Sequence, residues 1–265
     1  MAGLFGIGLT SAGKISEAEL AELTRGLFIQ NQTCGMKASG LSILRERSAH
    51  VIRRPCSAGE LVNRDDFKEF MEDNIRLKGA NKTISVMGHC RLPEKGSKLN
   101  NANNHPQIVG SIIGVHHGLI TNDDMLFNKY NIHRAVEVDS EVIFQLIRLH
   151  NVYRMEPTIK AIKKTAESLQ GSFACAVQNT KHPYNLYLFR RDNPLVVTYY
   201  KNIDAVIFST REYFITASAN TVLPNTPTVL KDKIKLDDDC GIAIDLLEKK
   251  ISRFKLKRKK IGYVE

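Results

Sequence analysis

The chain opens MAGLFGIG, and this start constrains the fold more than any other stretch of the sequence. Chain ends are normally frayed and polar because nothing holds them. An end this apolar is expected inside the protein, as a first strand over Leu4 to Leu9. A buried start implies either a strand edge or a working α-amino group. If the terminus works, alanine at position 2 is the residue to explain, because a methyl group offers no chemistry.

Composition narrows the setting. At 265 residues, with 43% hydrophobic and 25% charged residues, the chain can bury a sizeable core as one large domain or two small ones. The single domain, residues 1–265, is the simpler expectation, because no repeat, low-complexity linker or composition break divides the chain. No run of eighteen apolar residues exists, so no transmembrane helix and no membrane partner is expected. The first residues also lack the basic and apolar regions of a secretory signal. Five scattered cysteines (Cys34, Cys56, Cys90, Cys175, Cys240) with no CxxC pair read as reduced thiols of a cytoplasmic protein. Neither a metal nor a cofactor is expected.

The net charge of +10 is uneven: RFKLKRKK, residues 253–260, carries six positive charges. Such a run fits a patch for nucleic acid, a phosphate surface or an acidic partner. It also fits a solvated edge strand, since Phe254 and Leu256 alternate with basic residues. The edge strand is favoured, because no RNA- or DNA-binding motif accompanies the run.

Along the chain, SEAE at 16–19 has capping-box spacing. Leu20, Leu23, Leu27 and Phe28 then predict a helix to about Gln30. A second helix is expected over Arg64 to Arg76, strands over Thr83 to Gly88 and Ile108 to His116, and a polar loop over Lys95 to Pro106. Helices follow from Ser140 to Leu149 and from Pro157 to Leu169. The strand-like stretches SFACAVQ, NLYLFR, PLVVTYY, AVIFST and GIAIDLL come after them. Strands at both ends with helices between predict an α+β fold with mainly antiparallel sheets.

Chemistry-bearing residues gather at element ends: GHCR at 88–91, NNHP at 103–106, VHHG at 115–118 and DSE at 139–141. An arginine and an aspartate held apart on a rigid frame suit the carboxylate and ammonium of an amino acid. Taken in order with the MAGLFG start, LQGSFACAV at 169–177 and LYLFRRDNPLVV at 186–197, these segments resemble the class II glutamine amidotransferases, which are N-terminal nucleophile hydrolases. The resemblance is strongest over residues 1–220. Residues 225–265 are expected to add C-terminal strands with the basic stretch and no separate acceptor or synthase domain.

The resemblance implies a four-layer αββα sandwich. It also implies that a cysteine exposed by removal of Met1 attacks the glutamine amide, with its own α-amino group as base. The family's asparagine side chain and following glycine N–H hold the oxyanion. Carried over residue by residue, Arg91 and Asp139 match the groups that bind the glutamine α-carboxylate and α-ammonium, and Gly118 matches the oxyanion glycine. Ala2 stands where the family has its nucleophile, and His117 stands where it has the oxyanion asparagine. The family's Arg-Gly-x-Asp supporting loop reads Cys34-Gly35-Met36-Lys37, with both charges lost or inverted.

A laboratory Cys-to-Ala exchange predicts an otherwise intact site, and this site departs in three places. The expectation is therefore a catalytically inactive pseudoenzyme, retained as a structural or interaction module. Its partner would be a protein or a second copy, its glutamine binding weak or lost, and its location a cytoplasm or, for a viral protein, the host cytoplasm or virion. The alternative is an active glutamine amidotransferase seen as a Cys-to-Ala variant at position 2, supplying ammonia to a separate synthetase. Two lesser readings carry less weight: a relocated nucleophile at Cys90 or Cys34, and a metal at His116 and His117, whose adjacent positions point to opposite faces of a strand.

Overall fold

In the computed structural model, which describes residues 2–79, 81–223 and 231–258, the protein is an α+β sandwich of two antiparallel sheets faced by helices. The first sheet holds β1 (Gly3–Leu9), β2 (Ala38–Arg45), β3 (Ser48–Arg54), β4 (Ile84–Arg91), β9 (Val196–Tyr200), β10 (Ala205–Ser209) and β11 (Lys231–Ile234), in the order β11-β9-β10-β1-β4-β2-β3. The second holds β5 (Gln107–Val109), β6 (Ile112–Ile120), β7 (Gly171–Asn179), β8 (Asn185–Arg191), β12 (Cys240–Asp245) and β13 (Lys250–Lys255), in the order β13-β12-β8-β7-β6-β5.

The opening segment forms β1 and lies in the middle of its sheet, every residue buried and paired with β4, and Phe5 to Leu9 paired also with β10. Its side chains alternate between two environments, as a strand must. Phe5, Ile7 and Leu9 join a core beneath α1 (Glu17–Asn31), α2 (Ala58–Leu61), α3 (Asp65–Asn74) and α7 (Glu212–Val222). Leu4 joins Met87 and Phe208 in a second core that also contains Val115, Ala174, Leu188 and Ile242 of the other sheet. The two sheets therefore face each other across that core. A third core lies outside the second sheet, under α4 (Asp123–Tyr130), α5 (Glu141–Arg148) and α6 (Thr158–Ser168). Helix, sheet, sheet and helix make four layers, as the resemblance implies.

Local chemistry accounts for the element boundaries. Helix α1 begins at a capping box in which Ser16 and Glu19 satisfy each other's backbone N–H groups. The strand expected over Ile108 to His116 is instead a hairpin of β5 and β6. Gly110, at φ +60°, turns the chain where side chains are disfavoured. The hairpin β2–β3 and helices α4 and α7 have no counterpart in the sequence reading. Strand β13 is an edge strand with Phe254 buried and its basic neighbours exposed, as expected for a solvated edge strand at the start of the basic run; Lys259 and Lys260 lie outside the described residues. Among the described residues no helix is long and apolar enough to cross a membrane.

Candidate functional site

Strand parity assembles the site. Leu4 faces the inter-sheet core, so Ala2, two residues earlier, lies on the same side. Leu4 is opposite His89 in register, which puts His89 and Arg91 of β4 on that side too. On β6, Ile113 and Val115 belong to the inter-sheet core, and His117 follows them. Ala2, Arg91, His117, Gly118 and Asp139 consequently line one cavity, together with His89, His105 and His116. Its volume is about 40 Å³. Ligand pockets usually hold roughly 300–1,000 Å³, so this space is on the scale of a bound water.

Arg91 is occupied. Its guanidinium donates to Asn104 Oδ1 at 2.7 Å and to the carbonyls of Lys95 and Gly96 at 2.6 and 3.0 Å. These bonds draw the 92–104 loop over the cavity. Further ties hold it there: Ser97 N–H and Asn103 Nδ2 donate to Glu137 at 2.9 and 2.6 Å, and Lys95 pairs with Asp123 at 2.6 Å. Burial pushes the Arg91 pKa down, and Asp139 and Glu137 oppose the shift.

Asp139 does not cap α5, the ordinary job of an acid at a helix start. Its Oδ2 accepts from the Ile120 N–H at 2.7 Å, at the end of β6. The adjacent Ser140 also makes no helix cap, and its hydroxyl meets His116 Nδ1 at 2.8 Å.

The oxyanion positions are unequal. Gly118 has φ +141°, and a Cβ there would lie 2.0 Å from the Ser172 carbonyl oxygen, so only glycine fits. Gly118→Ala is expected to destabilise the protein by at least about 2 kcal/mol through overpacking and backbone strain. A thermal melt superimposable on wild type would contradict that geometry. His117 is buried, and burial pushes its pKa down to about 4. Its ring is therefore neutral at pH 7, and Nδ1 has no partner among the described residues.

Three more histidines complete the wall: His116, which the sequence reading weighed only as half of a metal pair, and His89 and His105, which it gave no role. His89 Nε2–H donates to the His116 carbonyl at 2.9 Å, a bond that joins the two sheets. The His105 ring lies 4.4 Å from that of His89. Burial lowers the pKa of His89 to about 3, that of His105 well below the usual range, and that of His116 also downward. The signal available in the sequence was parity: His89 is two residues from Arg91 on one strand.

The supporting loop braces the site through backbone only. Lys37 N–H donates to the Arg91 carbonyl at 3.1 Å, and Gly35 packs against the backbone of Cys90 and Arg91. The Lys37 and Met36 side chains face solvent, and half-buried Cys34 ends a short 3-10 turn. No charged side chain of this loop enters the cavity. Cys90 points to the opposite face of β4, where its thiol lies 3.6 Å from the Phe28 carbonyl and burial pushes its pKa well up. A relocated nucleophile at Cys90 is thereby excluded. His116 and His117 sit opposite Cys175 and Ala174, which belong to different cores, so the pair cannot close on one metal.

No protein-family model matches the chain. In sequence it is similar to 7-cyano-7-deazaguanine synthase 2 of Sulfurisphaera tokodaii, 29% identical over 143 residues, which is 53% of this chain and 30% of that protein. It is also similar to the isomerizing glutamine–fructose-6-phosphate aminotransferase of Thermococcus kodakarensis, 35% identical over 117 residues, which is 42% of this chain and 19% of that protein. The chain thus spans less than a third of these relatives' length. In structure it is similar to glutamine phosphoribosylpyrophosphate amidotransferase from B. subtilis, with TM-score 0.69 and 14% identity over 96% of this chain and 49% of that one. The chain therefore has the α+β sandwich fold of the N-terminal nucleophile amidotransferases, and its sequence relatives include class II glutamine amidotransferases.

Proposed function

We propose that this chain is a catalytically inactive member of the class II glutamine amidotransferases, retained as a structural or interaction module. One observation carries the proposal: the position that the resemblance assigns to the nucleophile presents the Ala2 methyl group to the cavity. A methyl carbon can neither attack an amide nor be activated by a neighbouring base. The companion changes support the same reading. A neutral imidazole at His117 replaces a side-chain amide, Arg91 is bonded to its own covering loop, and the remaining space is about 40 Å³.

The inter-sheet core shared by both sheets supports a single domain across the described residues. The partner we infer is a protein or a second copy of this chain. In support, the two loops that flank the cavity expose Met36, Leu92 and Leu99 to solvent. The decisive assay is simple. With millimolar glutamine, the protein as it stands is expected to release no ammonia and give no saturable binding heat in calorimetry. Ammonia release would overturn the proposal, and heat without ammonia would reassign the cavity as an amino-acid sensor.

A further inference from the structure

Outside the Ala2 cavity, the fold gathers two basic segments that lie far apart in sequence. Lys160, Lys163 and Lys164 project from α6, and Lys257 follows the edge strand β13; together they border a hollow of about 490 Å³. This hollow shares Lys164 and Glu167 with a larger cavity of about 1010 Å³, whose walls come from α4, α6, the segment after α5 and the ends of β6, β7 and β8. Lys129 and Arg154 stand in the larger cavity. Local carboxylates engage some of these cations: Glu156 takes Lys160 and Lys164, and Asp192, Asp238 and Asp239 take Arg258. Lys129, Arg154, Lys163 and Lys257 have no carboxylate partner among the described residues.

The larger cavity has a polar group waiting in its wall. Helix α5 runs into a wider turn over Leu149–Tyr153, in which Arg154 N–H reaches back to the Leu149 carbonyl at 3.2 Å. Such π turns often mark functional positions. This one sets His150 facing inward, with only 2% of its surface exposed, and carries Arg154 to the exposed rim. Neither ring nitrogen of His150 has a hydrogen-bond partner among the described residues. Glu156 Oε2, 3.7 Å from Nδ1, is too far for a hydrogen bond and is itself unpartnered. A buried imidazole left unsatisfied costs about 1–3 kcal/mol unless something supplies the missing bond. Beside it lie apolar groups: Leu126, half-exposed Met125, and Tyr130, whose ring meets His150 edge-on at 6.3 Å.

We propose that this cavity is a binding site for a small organic phosphate, with Lys129, Arg154 and Lys164 around the phosphate and His150 bonding a polar group of the ligand body. Three features favour a small molecule over a nucleic acid. The cations surround a concave space, the unsatisfied group lies at depth, and among the described residues no run of exposed aromatic rings offers bases a stacking surface. Lys129 and Arg154, without a carboxylate partner among the described residues, and Lys164, which Glu156 engages from one side, stand around an open concave space and call for an anion with several acceptor oxygens. The Met125–Tyr130 wall calls for a ligand with an apolar or planar part. The proposal stands independently of whether the Ala2 site is active.

The test is calorimetric titration of the full chain at low salt with pyrophosphate, ribose 5-phosphate, adenosine monophosphate and unphosphorylated adenosine. The three phosphates separate bare charge, a sugar phosphate and a ring-bearing phosphate. At least one phosphate is expected to bind saturably, and adenosine is not. Arg154→Ala and Lys129→Ala, both at exposed positions, are each expected to weaken binding about tenfold, the effect of losing one charge-assisted hydrogen bond. His150→Phe keeps a planar ring but removes its nitrogens, and is expected to weaken an organic phosphate while leaving pyrophosphate nearly unchanged. Binding that ignores all three substitutions would overturn the proposal, as would no binding by any phosphate at millimolar concentration. Tighter, salt-sensitive binding of a single-stranded oligonucleotide than of any small phosphate would reassign the surface to nucleic acid.

Discussion

Ala2→Cys alone is expected to leave ammonia release from glutamine at background, and Ala2→Cys combined with His117→Asn is expected to exceed it by about a hundredfold at glutamine concentrations high enough to displace the 92–104 loop from Arg91. The single variant restores the thiol at the position that the resemblance gives to the nucleophile, on the inter-sheet side of β1. It does not restore charge stabilisation of the tetrahedral intermediate. That task falls to the Gly118 N–H and the side chain at position 117. A neutral imidazole carries one donor and one acceptor, so its Nδ1 either donates to an oxyanion or repels it, depending on the tautomer. An asparagine amide presents two N–H groups from one nitrogen. Loss of one oxyanion donor typically costs about 10²–10³ in rate, which sets the expected gap between the variants. If Ala2→Cys alone turned over glutamine as fast as the double variant, the protein would be a working glutaminase lacking only its thiol, and the inactive-module proposal would fail. Thermal melts of both variants at pH 7 should match wild type within a few degrees, since both changes lie in the wall of the cavity and not in one of the three hydrophobic cores.

How much of this site was legible in the sequence depended on parity and on punctuation. The apolar start places β1 at the centre of a sheet, and period-two alternation then sends Ala2 and Leu4 to the inter-sheet side. The same alternation, anchored by the Leu4–His89 pairing, sends Arg91 inward and Cys90 outward, so the register decided between two chemistries. Gly118 was visible as a glycine in a motif. Only the structure shows that a carbonyl 2.0 Å from its missing Cβ makes it obligatory. The resemblance makes Asp139 a binding group, but its carboxylate holds the Ile120 N–H, a contact across 19 residues that no local pattern encodes. The β5–β6 hairpin was missed because Ile108 to Val115 is apolar but for Ser111, and the turn rests on one glycine at positive φ within that run. The closed 92–104 loop was beyond reach for a similar reason. Two of its three bonds to Arg91 use the backbone carbonyls of Lys95 and Gly96, which are the same atoms in any sequence.

Acid should unfold this protein earlier than its carboxylates alone would require, and the inter-sheet histidines are the cause. In an unfolded chain an imidazole titrates near pH 6.5, whereas in the fold His89 is held down to about 3 and His117 to about 4 by burial. Between those values the unfolded state binds more protons than the folded one, so stability falls as pH falls. Above about pH 6.5 the contribution is fully present and the profile should be flat. By pH 5, linkage puts the loss at roughly 2 kcal/mol for each of these two groups. His105 and His116, lowered in the same direction, add to it. Domains of ordinary stability have only about 5–15 kcal/mol to lose, so the urea midpoint should drop steeply between pH 6.5 and 5. Ion-paired carboxylates act in a lower window, as Asp66 shows: its bond to Arg64 and its pairing with Arg54 hold its pKa at about 2. The two contributions therefore separate along the pH axis. His117→Asn removes one of the four imidazoles and should shrink the loss at pH 5 by roughly 2 kcal/mol. An unchanged profile in that variant, or a flat wild-type profile down to pH 5, would mean that the imidazoles are solvated or already charged in the native state.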